Sequence, residues 1–389
     1  MNQSLYTLEN LGSGETALSK IEQLKSQHTE ITVLDSYKEN LEELFLLRNP
    51  KYKFIKEYGE DLGKFISVYQ GKETSLKHCG SWFYFPWKNT VAHVFPEDEY
   101  QELRTGRNQY LISKDEQEKF SESVIGILGM SVGSHIAMTI AMTGGSSHIK
   151  IADPDTLSGD NLNRIRLGIL DVGTKKVFLV ARAIYEMNPY ANVEVFEDGL
   201  TQENADSFLS GLSLLIEEMD TPFWKFRVRE KARSLGIPTL MGTDNGDGCI
   251  VDIERFDLNS DYPLFHGYTG NMDAESIKNM PPEDLPKVAA RIAGANLAVP
   301  RMLHSVTEVG KTIYSWPQLG TAANLCGTVI SYLARRIVNK DSLIQSGRYQ
   351  VSMDSIFEKN YHTIFSKLKR KKQFFDFIRK MKSRDGKIN

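Results

Sequence analysis

Asp153, Asp155, Asn161, Arg164 and Lys176 fall within one short stretch, ADPDTLSGDNLNRIRLGILDVGTKK. An acid at the end of a strand can hold the hydroxyls of a ribose. The amide and the two cations that follow are donors suited to phosphoryl oxygens. Just upstream, Gly129-Met130-Ser131-Val132-Gly133-Ser134 links an apolar run to a helical pattern. Such a small-residue turn lets backbone N–H groups approach a phosphate, with the helix dipole assisting. Gly129 precedes Asp153 by 24 residues, close to the spacing of a ribose-binding acid on a second strand.

Hydride transfer would use the ribose acid but has no need for cations at the phosphates. Nucleotidyl transfer does need them. When a carboxylate attacks the α-phosphate of ATP, charge builds on the phosphoryl oxygens and on departing pyrophosphate, where arginine, lysine and magnesium stabilise it. Magnesium asks for carboxylate help, and the apolar run 212–216 is followed by Glu217-Glu218-Met219-Asp220. Each residue also has a plainer reading. Arg164 and Lys176 could be surface cations, Asp153 or Asp155 turn caps, and the acidic group a solvated loop. Their ordered placement at strand ends is what argues for chemistry.

The elements that must position them follow a strand–helix alternation from about residue 106. Strands are expected at 124–128, 148–152, 193–196, 212–216 and 238–241, and helices at 133–143, 175–187, 202–210 and 222–235. That pattern predicts a doubly wound, mainly parallel α/β sheet of Rossmann-like type. Further helices are expected at 288–299 and 321–338, and a late strand at 348–353. Residues 1–103 read as an additional α+β region, with a β-hairpin pairing 82–87 with 90–95 and a possible clamp or adaptor role. The 104–358 region reads as the catalytic domain and 359–389 as a basic amphipathic tail. In that tail Phe374, Phe375, Ile378 and Met381 recur at helical spacing, and docking of that stripe on its own protein is favoured over a membrane or partner.

Composition sets the class. With 41% hydrophobic and 25% charged residues and a net charge of −3, the chain reads as globular, with nucleic acid disfavoured as main partner. No apolar run suits a membrane span, and MNQSLYTLENLGSG lacks the features of a secretory signal. Cys79, Cys249 and Cys326 lie far apart with no CxxC pair, which argues against zinc and a disulfide framework. A reducing, cytoplasmic compartment is expected.

From Arg104 to about Asp354 the chain resembles the ThiF/MoeB-type adenylyltransferases, bacterial relatives of ubiquitin-activating enzymes. The resemblance rests on Arg104-Thr105-Gly106-Arg107-Asn108, the turn at Gly129, Asp153-Pro154-Asp155 with Asn161-Leu162-Asn163-Arg164, Gly173-Thr174-Lys175-Lys176, Met187-Asn188-Pro189 and Glu217-Glu218-Met219-Asp220. It implies a ThiF-like fold that binds ATP and magnesium and activates a carboxylate as its acyl-adenylate. By the same resemblance Asp153 holds the ribose, Asn161 and Arg164 contact the triphosphate, and Lys176 binds phosphate. Gly129, Ser131, Gly133 and Asp155 complete the nucleotide set, Asp220 serves magnesium, and Arg107 reaches into the partner's ATP site of a homodimer. Implied substrates are a small carrier protein, a peptide, a small molecule or a modified tRNA base.

Two departures stand out. Ser131, Val132 and Ser134 occupy glycine positions of the family turn, where bulkier side chains should reshape the phosphate pocket. The span 265–317, where many relatives carry a catalytic cysteine, holds none, so no cysteine thioester is expected. A nucleotide-binding scaffold that has lost catalysis, and an NAD(P)-dependent oxidoreductase, are the competing readings.

Overall fold

The structure, a computed structural model, describes residues 6–28 and 30–385, with side chains to Arg379. The first five residues of the N-terminal segment and the Met381 side chain of the tail stripe lie outside the described residues. Two compact units emerge: one takes in the chain to Glu118 with Ala141–Gly144 and Ala181–Ala191, and the other takes in the rest.

In the first unit, β1 (Glu9–Gly12), β2 (Thr32–Leu34), β3 (Ser81–Phe85) and β4 (Thr90–Val94) form a sheet of order β1-β3-β4-β2. Helices α1 (Gly14–Gln27), α2 (Tyr37–Arg48), α3 (Gly59–Gln70) and α4 (Glu97–Thr105) accompany it. The expected hairpin is β3–β4, turned by the 3-10 segment Pro86–Lys88 and by Asn89 at φ 48°. Strand alternation gives the sheet two apolar faces. Trp82, Tyr84 and Val91 pack with Ala17 and Ile21 of α1, while Phe83, Phe85 and Val94 form a separate cluster. His93 lies between the rings of Tyr37 and Trp82 and is held by Asp35 at 2.9 Å.

The second unit carries the seven-stranded sheet. Its strands β5 (Val124–Leu128), β6 (His148–Ala152), β7 (Asn192–Phe196), β8 (Leu214–Glu217) and β9 (Thr239–Asn245) are parallel, in the order β9-β8-β5-β6-β7. Strands β10 (Gly248–Glu254) and β11 (Gly347–Val351) extend it antiparallel beyond β9. Apolar runs such as VIGIL and HIKIA become central strands because both sheet faces are covered. The chain leaves β5 toward β6 on one side and β8 on the other, so the carboxyl ends of these three strands border the switch point where such sheets bind ligands. The connecting helices are α5 (Lys114–Glu122), α6 (Val132–Met142), α7 (Lys176–Met187), α8 (Ala205–Leu209) and α9 (Pro222–Ser234). After β10 come α10 (Ala274–Lys278), α11 (Leu285–Ile292), α12 (Pro300–Glu308), α13 (Gly320–Val338), α14 (Met353–Phe357) and α15 (Ile364–Asp385).

Several boundaries differ from the sequence reading. The helix expected at 288–299 ends at Ile292, because Gly294 turns left-handed at φ 70° and Pro300 opens a new helix. The helix expected at 202–210 shrinks to α8, since the Asn204 side chain instead closes a turn on the Thr201 N–H at 2.8 Å. The strand expected at 238–241 runs on to Asn245, its polar end paired with β10.

Candidate functional site

Gly129 follows β5 at φ 85°, and a Cβ there would lie 2.5 Å from the Glu218 carbonyl oxygen. Only glycine allows the turns after β5 and β8 to meet this closely. The next amide, Met130 N–H, donates to Asp153 Oδ2 at 2.5 Å, and Asp155 N–H donates to Asp153 Oδ1 at 2.7 Å. Asp153 is thus buried at the end of β6 with both oxygens already accepting backbone bonds. Burial raises its pKa, opposed by Lys176 and by those two N–H groups.

Lys176 opens α7 and is itself buried. Its ammonium donates to Asp155 Oδ2 at 2.9 Å, and its own N–H to the Asp155 carbonyl at 3.0 Å. The adjacent Lys175 goes elsewhere, donating to the carbonyls of Pro154 and Glu197 at 3.0 and 2.8 Å. One lysine clasps strand ends while the other joins the acidic pair.

Arg164 closes the ring. Its Nε donates to Ser131 Oγ at 3.3 Å, and its Nη1 to the Asp160 carbonyl at 2.9 Å and to Asn163 Oδ1 at 3.0 Å. Asn161, buried in the 3-10 turn Gly159–Asn161, bonds Asp160 through Nδ2 at 3.2 Å. His135 of α6 bonds the Arg164 carbonyl at 2.5 Å and fixes this loop from below. Burial lowers the His135 pKa, which favours a neutral ring.

Two of the three substituted glycine positions of the turn point inward. Val132 and Ser134 are buried, and Ser134 Oγ donates back to the Ser131 carbonyl at 2.7 Å. Ser131 is left at the mouth with Arg164. Gly133 serves packing, for a Cβ there would lie 3.0 Å from Ile127 Cγ2.

The acidic group after β8 separates. Glu217 is fully buried, paired with Lys225 at 3.1 Å and with Arg229, which also binds Glu254 at 2.7 Å. Although burial alone raises its pKa, those cations hold Glu217 below the usual carboxylate range. Glu218 turns inward to accept the Gly242 N–H at 2.7 Å. Neither is a solvated loop acid. Asp220 remains exposed beyond the strand end. Among the described residues no three or more His, Cys, Asp or Glu are grouped to hold a metal.

Asp153, Asp155, Asn161, Arg164, Lys176, Ser131 and Gly129 therefore share one edge of the sheet, and Asp220 follows the neighbouring strand. Arg107 is exposed on the 3-10 turn Gly106–Asn108 of the other unit. One residue at the edge escaped sequence reasoning. Asp244, near the end of β9, is buried and accepts from Gln318 Nε2 at 3.1 Å, while its Oδ1 has no partner among the described residues. Burial raises its pKa to about 6, against the pull of Gln318 and the Arg164 charge. The acid in TLMGTDN was its only signal.

A sequence profile described as the ThiF family matches residues 105–372. An uncharacterized protein of Mycobacterium tuberculosis is 31% identical over 333 residues, covering 85% of this chain and 45% of the relative. A tRNA threonylcarbamoyladenosine dehydratase of Bacillus subtilis is 31% identical over 144 residues, 36% of this chain and 56% of the relative. The chain thus spans about half the length of these curated relatives. Among solved structures, the Escherichia coli tRNA N6-threonylcarbamoyladenosine dehydratase TcdA in complex with AMP aligns over 62% of this chain and 97% of that one. Its sequence identity is 20% and its TM-score 0.45.

Proposed function

The chain belongs to the ThiF family, and from that premise we propose that it activates a carboxylate as its acyl-adenylate, with ATP as the adenylyl donor. The observation that carries the reading is the set of bonds at the ends of β5 and β6: Arg164 reaches Ser131, Asp153 accepts the Met130 N–H, and Lys176 pairs with Asp155. In the proposed step a substrate carboxylate oxygen attacks the α-phosphorus, the bond to pyrophosphate breaks, and the product is a mixed anhydride with AMP. Arg164 and Lys176 offset the charge that builds on the phosphoryl oxygens. Asp155 orients the Lys176 ammonium until phosphate oxygens compete for it. Asp153 fixes the turn through the Met130 N–H bond it accepts and retains lone pairs for a ribose hydroxyl.

Magnesium suits the residues present. It keeps several waters and takes one or two carboxylates beside substrate phosphates, and exposed Asp220 is the acid free to turn toward them. When bound it would neutralise phosphate charge. The proposed substrate class is the C-terminal carboxylate of a peptide or small carrier protein, with a tRNA-borne carboxylate as the second class, favoured by the name of the Bacillus subtilis relative. The acceptor would attack the adenylate directly. Cys249 and Cys326 are fully buried, and the Cys326 thiol is pushed up by its hydrogen bond with Cys249 and by burial, which supports a route without a cysteine relay. A homodimer, in which each Arg107 serves the other copy's triphosphate, completes the proposal.

Pyrophosphate exchange into ATP, run with candidate carboxylates, tests the reading. Arg164→Ala and Lys176→Ala should each lower exchange on the order of 100- to 1,000-fold, the usual effect of removing one charge-stabilising donor. Exchange at the parent rate in both variants would refute it.

A further inference from the structure

Helix α15 has two apolar faces, and only one of them is covered. Toward the protein it packs along α12, with Phe377 buried and Phe374 lining a cleft beside Leu297 and Val299. Arg370 belongs to this docked side, its guanidinium 3.9 Å over the Tyr361 ring and bonded to the Tyr361 carbonyl at 2.8 Å. On the opposite face Ile364, Phe365, Leu368 and Phe375 are 74%, 85%, 58% and 58% exposed. Their spacing places them within about a third of the helix circumference. Lys367 and Lys371 border that stripe on one side, Lys369 borders it on the other, and Lys372 stands among its members; all four are exposed. The one acid between 364 and 379, Asp376, is taken by Arg379 at 2.5 Å.

We propose that this outer face of α15 docks on an anionic lipid surface. Phenylalanine, leucine and isoleucine would enter the acyl boundary while the lysines meet lipid phosphates, the arrangement of an interfacial helix. Charge decides between occupants. A second copy of the chain meeting this face two-fold would set lysines against lysines. RNA would answer the lysines but leave Ile364 and Leu368 without a role. No helix of the described residues is long and apolar enough to cross a membrane, so the contact is peripheral. The inference is independent of the adenylation reading.

The test is co-sedimentation of the full chain with vesicles of phosphatidylcholine alone or mixed with phosphatidylglycerol. Binding should require phosphatidylglycerol and weaken with added salt. Lys369→Ala with Lys372→Ala should lower partitioning about 25-fold, about fivefold per lysine. Leu368→Ser and Phe375→Ser should each lower it more than about tenfold. All four side chains are exposed, so thermal melting should match the parent and separate lost docking from lost folding. Arg164→Ala should bind vesicles as the parent does. Equal binding to both vesicle types, no binding to either, or retained binding in the Leu368→Ser and Phe375→Ser variants would overturn the proposal. So would capture of an RNA oligonucleotide, or self-association through this face, without vesicle binding.

Discussion

Asp244 shows how one side chain can set a pH dependence. Its folded pKa of about 6 lies above the ordinary aspartate value because it is buried. In the unfolded chain the carboxyl ionises near pH 4. Between those values the native state holds the extra proton, so its contribution to stability falls as pH rises from about 4 to about 6 and is level above that. The cost at neutral pH is at most about 3 kcal/mol. Asp244→Asn keeps an acceptor for Gln318 and removes the charge. It should therefore raise the melting temperature at pH 8 and change it little at pH 4, as calorimetry at both values would register. A uniform shift at both would assign the effect to packing instead.

At the scale of elements, the link between β8, α9 and β10 is ionic. Arg229 is fully buried between Glu217 and Glu254, with its guanidinium 4.3 Å over the Phe265 ring. Removing one member leaves buried charges without a partner, which typically costs about 3–5 kcal/mol. Arg229→Ala should lose that much in urea unfolding, whereas a loss under about 1 kcal/mol would mean that water replaces the guanidinium. This network also marks where sequence reasoning stops. The five parallel strands were legible because their apolar runs are continuous and bounded by turns. Glu217 was not, since nothing in EEMD reveals that one acid enters a core opposite an arginine twelve residues later. The polar end of β9 was hidden likewise. Gly242, Thr243 and Asp244 lie past the expected strand end at 241, yet β10 pairs with them, and Gly242 has no side chain to strike Cys326 Sγ, 2.1 Å from where its Cβ would be. The residues proposed for the phosphate side could be picked out by type and order. Which lysine faces the site, and that Val132 and Ser134 turn inward, depend on packing that spacing alone does not encode.

For the whole molecule, the division of labour falls between subunits in the proposed homodimer. Arg107 and Lys176 belong to different compact units of one chain. An Arg107→Ala chain mixed with a Lys176→Ala chain, each impaired alone, should regain part of the exchange activity if the arginine acts in trans, because one site of each mixed dimer then keeps both cations. No recovery despite proven subunit exchange would confine Arg107 to its own chain. The second unit, meanwhile, fastens one long stretch at both ends. Asn245 donates to the Leu297 carbonyl at 3.1 Å and accepts the Val299 N–H at 2.8 Å. At the other end Gln318 bonds Asp244, and its carbonyl accepts Asn163 Nδ2 at 2.8 Å. Both anchorages are on β9 or on the loop that carries Arg164, while Lys311 stands exposed in the turn between them. Cutting the backbone there would free two ends without freeing either piece. Trypsin should nick the native protein at Lys311 into fragments that still elute together.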